Sequence, residues 1–296
     1  MVQAFAEILD PAFLLFPAVL GSVVLGLVCP VVGGFLVLRR SVLLGLTLPQ
    51  FAAAGAAFAL FAHEVGLVPH PGHTSGDAHQ IERLLAYAGS LLFTFAGMTL
   101  LALTDLRGGG RSETRLAVAY ALAGSLMILF VAVHPFGDAA ILGLVKGEAV
   151  VLSWTEFAVL SAVYAAVTAG LVLFRRELLM ASFDRDLTFL LKGGTFTWDL
   201  LFHLLAGVTI ALGVMMAGPL ITFGLLVLPP IAARPLVSRM APYFIVSSLA
   251  GAGIGLTGFA IAYRFDVPLG PAILTLGCGL VLAAHAPAWL GDRFRR

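Results

Sequence analysis

Residues 63–82 read "HEVGLVPHPGHTSGDAHQIE" and gather the chain's main metal-binding chemistry. His63, His70, His73 and His79 are four of its seven histidines, and Glu64, Asp77 and Glu82 stand among them. Imidazole and carboxylate together suit zinc or a similar ion. Two readings stand: a capture site for such an ion, or a polar loop in which the histidines are incidental. His70 and His73 have the spacing of a ligand pair, although Pro71 and Gly72 leave its geometry open. "HEVGL" lacks the second histidine of a metalloprotease helix, which excludes that chemistry. His203 is a second candidate, four residues beyond Asp199 in an apolar block. Ionisable groups within a membrane are rare and often line a path; the alternative is a packing histidine bonded to a backbone or hydroxyl oxygen. Asp266 reads as a residue that shapes a turn. Cys29 and Cys278 both lie in apolar blocks, so neither a disulfide framework nor a cysteine metal site is expected. No cluster of nucleophile, base and acid is visible, and no catalytic residue is assigned.

The elements that must position these residues are apolar. Of 296 residues, 60% are hydrophobic and 11% are charged, and the mean hydropathy is +1.03. A soluble domain carries about 25% charged residues. Apolar blocks fall at 11–38, 42–62, 84–104, 116–133, 154–174, 199–217, 218–233, 243–263 and 269–288. Most are long enough to cross a bilayer as helix, and they lack the alternation of barrel strands. The fold class expected is an all-α polytopic membrane protein of about nine spans, a single transmembrane domain over 1–296. The first block lacks a basic leader and a small-residue cleavage site, so no cleavable signal peptide is expected.

Basic residues follow alternate blocks: Arg39 and Arg40; Arg107, Arg111 and Arg115; Arg175, Arg176, Arg185 and Lys192; Arg234 and Arg239; and Arg293, Arg295 and Arg296. The intervening loops carry few. Basic loops face the cytoplasm, which places the N-terminus outside, the C-terminus inside and the histidine-rich loop 63–83 outside. Trp154 and Trp198 begin blocks and Trp289 follows the last, as interfacial aromatics do. Runs such as "AAAGAAFA" (52–59) and "GAGIGLTG" (251–258) permit close helix packing.

One block ends unusually, in "LLVLPPIAARPLVSRM" (225–240). Pro229 and Pro230 are expected to break the helix. Ala232 and Ala233 permit close packing, Arg234 and Arg239 keep the segment at the membrane surface, and Pro235 and Pro242 limit further helix. Either this is a rigid surface element that passes a push from a soluble partner into the bundle, or it is an ordinary proline-rich turn.

The run "AGPLITFGLLVLPPIAARPLVSRM" resembles the end of the seventh span and the coupling helix of permeases in bacterial zinc/manganese ABC importers, the ABC-3 family related to cobalamin and siderophore permeases. Four further stretches agree in order: "GFLVLRRSVLLGLTLPQFAAAG" (34–55), "KGEAVVLSWTEF" (146–157), "MASFDRDLTFLLKG" (180–193) and "YRFDVPLGPAI" (263–273). Within the second of these, Ser153 and Glu156 also form a capping box. The resemblance covers roughly residues 20–285. It implies a type II importer fold and a homodimer in the bacterial inner membrane. It further implies ABC ATPase subunits, which bind ATP-Mg and dock on about 229–240 through Pro229, Pro230, Ala233, Arg234 and Arg239. A periplasmic or lipid-anchored solute-binding protein would deliver the cargo. No G-x-x-x-x-G-K-[ST] motif is present, so hydrolysis belongs to another chain, and no cofactor or nucleic acid is expected here.

The resemblance has one departure. The family's R-R-x-x-x-x-G-D-x-L-x-H run places an Asp and a His on the metal pathway, and these positions read Leu46 and Gln50. A later family histidine corresponds to Tyr120. Gln50 and Tyr120, with His203, are therefore the pathway candidates. A transition-metal cargo is expected, with a chelated or organic cargo as the alternative and a self-contained secondary transporter as the rival class. Such a transporter needs membrane carboxylates, and these are scarce mid-span.

Overall fold

In hydrocarbon every backbone polar group must be satisfied within its own segment, so long apolar blocks become helices. The computed structural model describes residues 13, 15–66, 77–106, 112–133, 152–183, 188 and 196–293. Among these, the helices are α1 (Phe16–Leu38), α2 (Val42–Glu64), α3 (Asp77–Leu106), α4 (Ser112–Val133), α5 (Trp154–Leu173), α6 (Arg175–Phe183), α7 (Phe196–Ala233), α8 (Met240–Phe265) and α9 (Leu269–Arg293). Eight of them are long and apolar enough to cross a membrane; α6, with nine residues, is not.

The 38 residues of α7 take in both blocks expected at 199–217 and 218–233, and the helix is folded between them. Gly218 has φ 81° and ψ 166°, a region open essentially to glycine alone, and Pro219 follows with no amide hydrogen to give. A Cβ on Gly213 would stand 3.0 Å from Thr222 Cγ2. In a straight helix those residues would be about 13 Å apart. The chain therefore turns back on itself, and α7 is two arms, 196–217 and 219–233. Counting both, the described residues hold nine long apolar segments, the number of blocks read from the sequence.

The arms of α7 form the centre of the bundle. The first packs on α3 and α5. Ser90 donates to the Ala211 carbonyl at 3.3 Å, and the fully buried Tyr164 hydroxyl donates to the Thr209 carbonyl at 2.9 Å. The second packs on α1, α2 and α9, with Gly224 against Leu274 and Gly277 against Leu228. Glycines set the closest approaches. A Cβ on Gly55 or Gly89 would overlap the other's carbonyl oxygen, and Gly26 and Gly251 oppose each other in the same way. Pro30 cannot donate to Gly26, four residues back, and the oxygen left free is the one Gly251 covers. Apolar side chains also cover the outside: Ile128 is 67% exposed, Leu173 73% and Leu282 73%, as lipid-facing residues are.

Helix pairing sorts the charges by end. Arg39 meets Asp199 and Ser182, Thr47 meets the Leu116 carbonyl, and Gly34 meets Tyr243. The ends of α1 and α5 and the starts of α2, α4, α7 and α8 thus share one end, together with the 234–239 turn. Arg39, Arg40, Arg115, Arg175, Arg176, Arg234 and Arg239 all lie there. His63, Arg83, Glu156 and Arg264 lie at the other.

Candidate coupling element and transport pathway

The helix does not break at Pro229 and Pro230, contrary to the sequence expectation. Both are buried, and the second arm of α7 runs on to Ala233. A proline costs a helix the bond to the carbonyl four residues back. For Pro230 that carbonyl is Leu226, whose oxygen faces the Cα of Gly33 on α1, so close that a Cβ there would overlap it. The freed acceptor is covered by a Cα–H contact rather than left against hydrocarbon. The helix stops one residue before Pro235's neighbour, since a residue preceding proline disfavours the α conformation. Arg234 still donates its amide to Pro230 O at 3.2 Å, and Leu236 donates to Ala233 O at 3.1 Å.

The exposed element is therefore the turn 234–239, not the whole of 229–240. Ala233 is 1% exposed, whereas Arg234, Pro235, Ser238 and Arg239 are exposed and Leu236 is 59% exposed. Arg239 caps α8 with extended backbone, φ −103° and ψ 144°. Pro242 sits in the first turn of α8, where no amide hydrogen is needed. A short turn joining two long helices can transmit a force at its tip into both.

Beside it stands a cluster that sequence reasoning missed. Arg39, with its side chain 10% exposed, pairs with Asp199 at 2.6 Å through Nη1 and Oδ1. Its Nε donates to Ser182 Oγ at 3.0 Å, and its guanidinium lies 4.3 Å from the centre of the Phe202 ring. One side chain joins α1, α6 and α7. The partners are 160 residues apart in sequence, and no local spacing signals the pair. His203, the intramembrane candidate, sits one turn further on. Its Nδ1 is 2.5 Å from the Asp199 carbonyl oxygen.

Gln50 meets the face of α4 that carries Tyr120, on the seam between α2 and α4. Gln50 Oε1 lies 3.9 Å from where a Cβ of Gly124 would stand, and Tyr120, 37% exposed, is one turn before Gly124 on the same face. Leu46 is one turn before Gln50 on α2, and both are half-buried. Between them Thr47 Oγ1 donates to Leu43 O at 2.8 Å and to Leu116 O at 3.3 Å. The seam offers neutral oxygen donors. His203 is not part of it.

The histidine-rich stretch is described only at its edges. His63 is half-buried in the last turn of α2, and Glu64 beside it is exposed. His70 and His73 lie outside the described residues, as does the side chain of His79. Among the described residues no three of His, Cys, Asp and Glu group closely enough to hold a metal ion. At the same end, the capping box of α5 forms as expected: Glu156 N donates to Ser153 Oγ at 3.2 Å and Ser153 N to Glu156 Oε2 at 2.9 Å. Glu156 also pairs with Arg83 of α3. Asp266 closes α8 in the left-handed conformation at φ 50°, the turn-shaping role read from the sequence.

A bundle in which eight of the described helices are long and apolar enough to cross a membrane defines a polytopic helical membrane protein. The chain belongs to the ABC 3 transport family, which it matches over residues 12–287. It is 25% identical over 270 residues to the zinc transport system membrane protein TroC of Treponema pallidum, covering 90% of this chain and 86% of that one. It is 21% identical over 276 residues to the manganese import system permease protein ScaB of Streptococcus gordonii, covering 93% and 91%. Among solved structures, PsaBC from Streptococcus pneumoniae in complex with Fab has the same fold. The TM-score is 0.80 at 20% identity, covering 96% of this chain and 95% of that one.

Proposed function

We propose that this chain is the permease subunit of an ABC importer that moves a transition metal ion such as zinc, manganese or iron across the bacterial inner membrane. Two copies form the pathway. Separate ATPase subunits bind ATP-Mg and press on the 234–239 turns, and an external solute-binding protein delivers cargo. ATP binding closes the ATPases, and the arms of α7 carry the movement into the bundle as alternating access. Family membership carries this reading, supported by an exposed basic turn between two long helices. The basic end of the bundle faces the cytoplasm, and the end bearing His63 faces outward, where the histidines 63, 70, 73 and 79 would concentrate scarce metal.

A second reading follows from one observation. The α2–α4 seam offers Leu46, Gln50 and Tyr120, whereas transition metals favour imidazole and carboxylate. A metal that arrives with its own ligands, as a chelate, needs none from the wall. Uptake of zinc, manganese, iron and a metal chelate by the complete transporter decides between them. Under the bare-ion reading, Leu46→Asp with Gln50→His shifts selectivity among the ions. Alanine at the four histidines lowers uptake at scarce metal and matters less at excess. Movement of the chelate alone would overturn the bare-ion reading.

A further inference from the structure

The short helix α6 has two faces of different character. One is seated on the bundle: Leu178 is fully buried, Ala181 is 3% exposed, and Ser182 accepts from Arg39. The other continues the apolar outer surface. Leu173 just before α6 is 73% exposed, Phe183 at its end 59%, and Phe196 at the start of α7 76%. Apolar side chains this exposed suit hydrocarbon better than water. In the sequence, Leu173 and Phe183 bracket two exposed guanidinium groups, Arg175 and Arg176. Neither arginine has a hydrogen bond or ion pair with a described residue. Both stand in the first turn of α6, where the helix dipole disfavours a cation, so helix stability does not account for them. Trp198 packs on Phe174, with ring centres 5.8 Å apart, and an indole in that setting marks the boundary between headgroups and hydrocarbon. Two free cations at that boundary, set in an apolar and aromatic collar, match a lipid with a negative headgroup and two acyl chains.

We propose that Arg175 and Arg176 bind the phosphodiester headgroup of an anionic phospholipid whose acyl chains lie against Leu173 and Phe196. A guanidinium fork engages two phosphate oxygens at once, and the collar supplies the chain contacts. The same helix carries Ser182, which accepts from Arg39, so a lipid held at its start is bound to one member of the brace between α1, α6 and α7. The full-length protein, purified in detergent and delipidated, is titrated with phosphatidylglycerol, cardiolipin and phosphatidylcholine and read by native mass spectrometry. The wild type should retain phosphatidylglycerol and cardiolipin over phosphatidylcholine. Arg175→Gln with Arg176→Gln should lose about fivefold of that preference per arginine, the effect of one basic residue at an anionic surface. Phosphatidylcholine retention should not change. Lysine at both positions, which keeps the charge without the fork, should keep part of the preference. Arg234→Gln with Arg239→Gln, which removes equal charge at the same end, should keep all of it. Absence of preference in the wild type, or equal loss in both glutamine variants, overturns the site. So does unchanged lipid retention with lost co-purification of the ATPase subunit, which would assign the arginines to a protein partner.

Discussion

Arg39 is where a single side chain does most to hold the basic end of the bundle together. It satisfies Asp199 and Ser182 and covers the Phe202 ring. Its side chain is 10% exposed and that of Asp199 18%, so solvent screens the pair little. Removing one partner leaves the other charged in a poorly solvated place, at a cost on the order of 3 kcal/mol. Arg39→Ala and Asp199→Ala should each lower the thermal midpoint of the purified protein. The double variant should cost less than the sum of the two, because the second substitution removes the stranded charge. Additive losses would show that the pair is not energetically coupled. The sequence displayed these residues but not their meeting. Arg39 read as a positive-inside charge and Asp199 as a neighbour of His203.

At the scale of the element, α7 and the turn after it carry the mechanical argument. Gly218 occupies a conformation that an L side chain reaches only with strain of about 1–3 kcal/mol. Gly218→Ala should therefore destabilise the chain, and uptake should fall further than the amount of folded protein in the membrane. Gly253→Ala, at a glycine with nothing within 4 Å, is the matched control and should be silent. Full transport by Gly218→Ala would remove the fold in α7 from the mechanism. The turn makes a separate prediction. Arg234→Glu with Arg239→Glu reverses two exposed charges outside the packed core. Folded protein and basal ATP hydrolysis should persist while uptake drops at least tenfold; normal uptake would dissociate this turn from the ATPase. The coupling run was legible in the sequence, but its buried and exposed halves were not. Proline was expected to end the helix at 229, and the contact of Gly33 with the Leu226 carbonyl carries the helix on to 233.

For the whole molecule, the Arg39–Asp199 pair and the Arg83–Glu156 pair mark opposite ends of the bundle, and cysteine labelling reads which side each end faces. In a background lacking Cys29 and Cys278, a cysteine in place of Val65 lies at the histidine end and one in place of Ser238 in the basic turn. Both positions are exposed. An impermeant thiol reagent applied to intact cells should label the first and spare the second, and the reverse pattern would invert the orientation and place the basic turn away from cytoplasmic ATPases.

The sequence by itself determined that this is a multi-span helical membrane protein, because apolar length and a low share of charge leave no other fold. It determined the family through five ordered runs, and it showed that arginines follow alternate apolar blocks. It also determined the capping box at Ser153 and Glu156, since that motif is closed within four residues. Tertiary structure alone decided what depends on residues far apart in the chain. Gly218 folds α7 back, and glycine contacts cover the carbonyls that Pro30 and Pro230 leave free. Arg39 finds Asp199, and His203 turns to a backbone oxygen rather than to the seam that brings Gln50 to the face carrying Tyr120. Local pattern fixes which segments must be helices. Which carbonyl, charge or ring each helix then meets is set by packing, where one missing methyl group decides how closely two backbones approach.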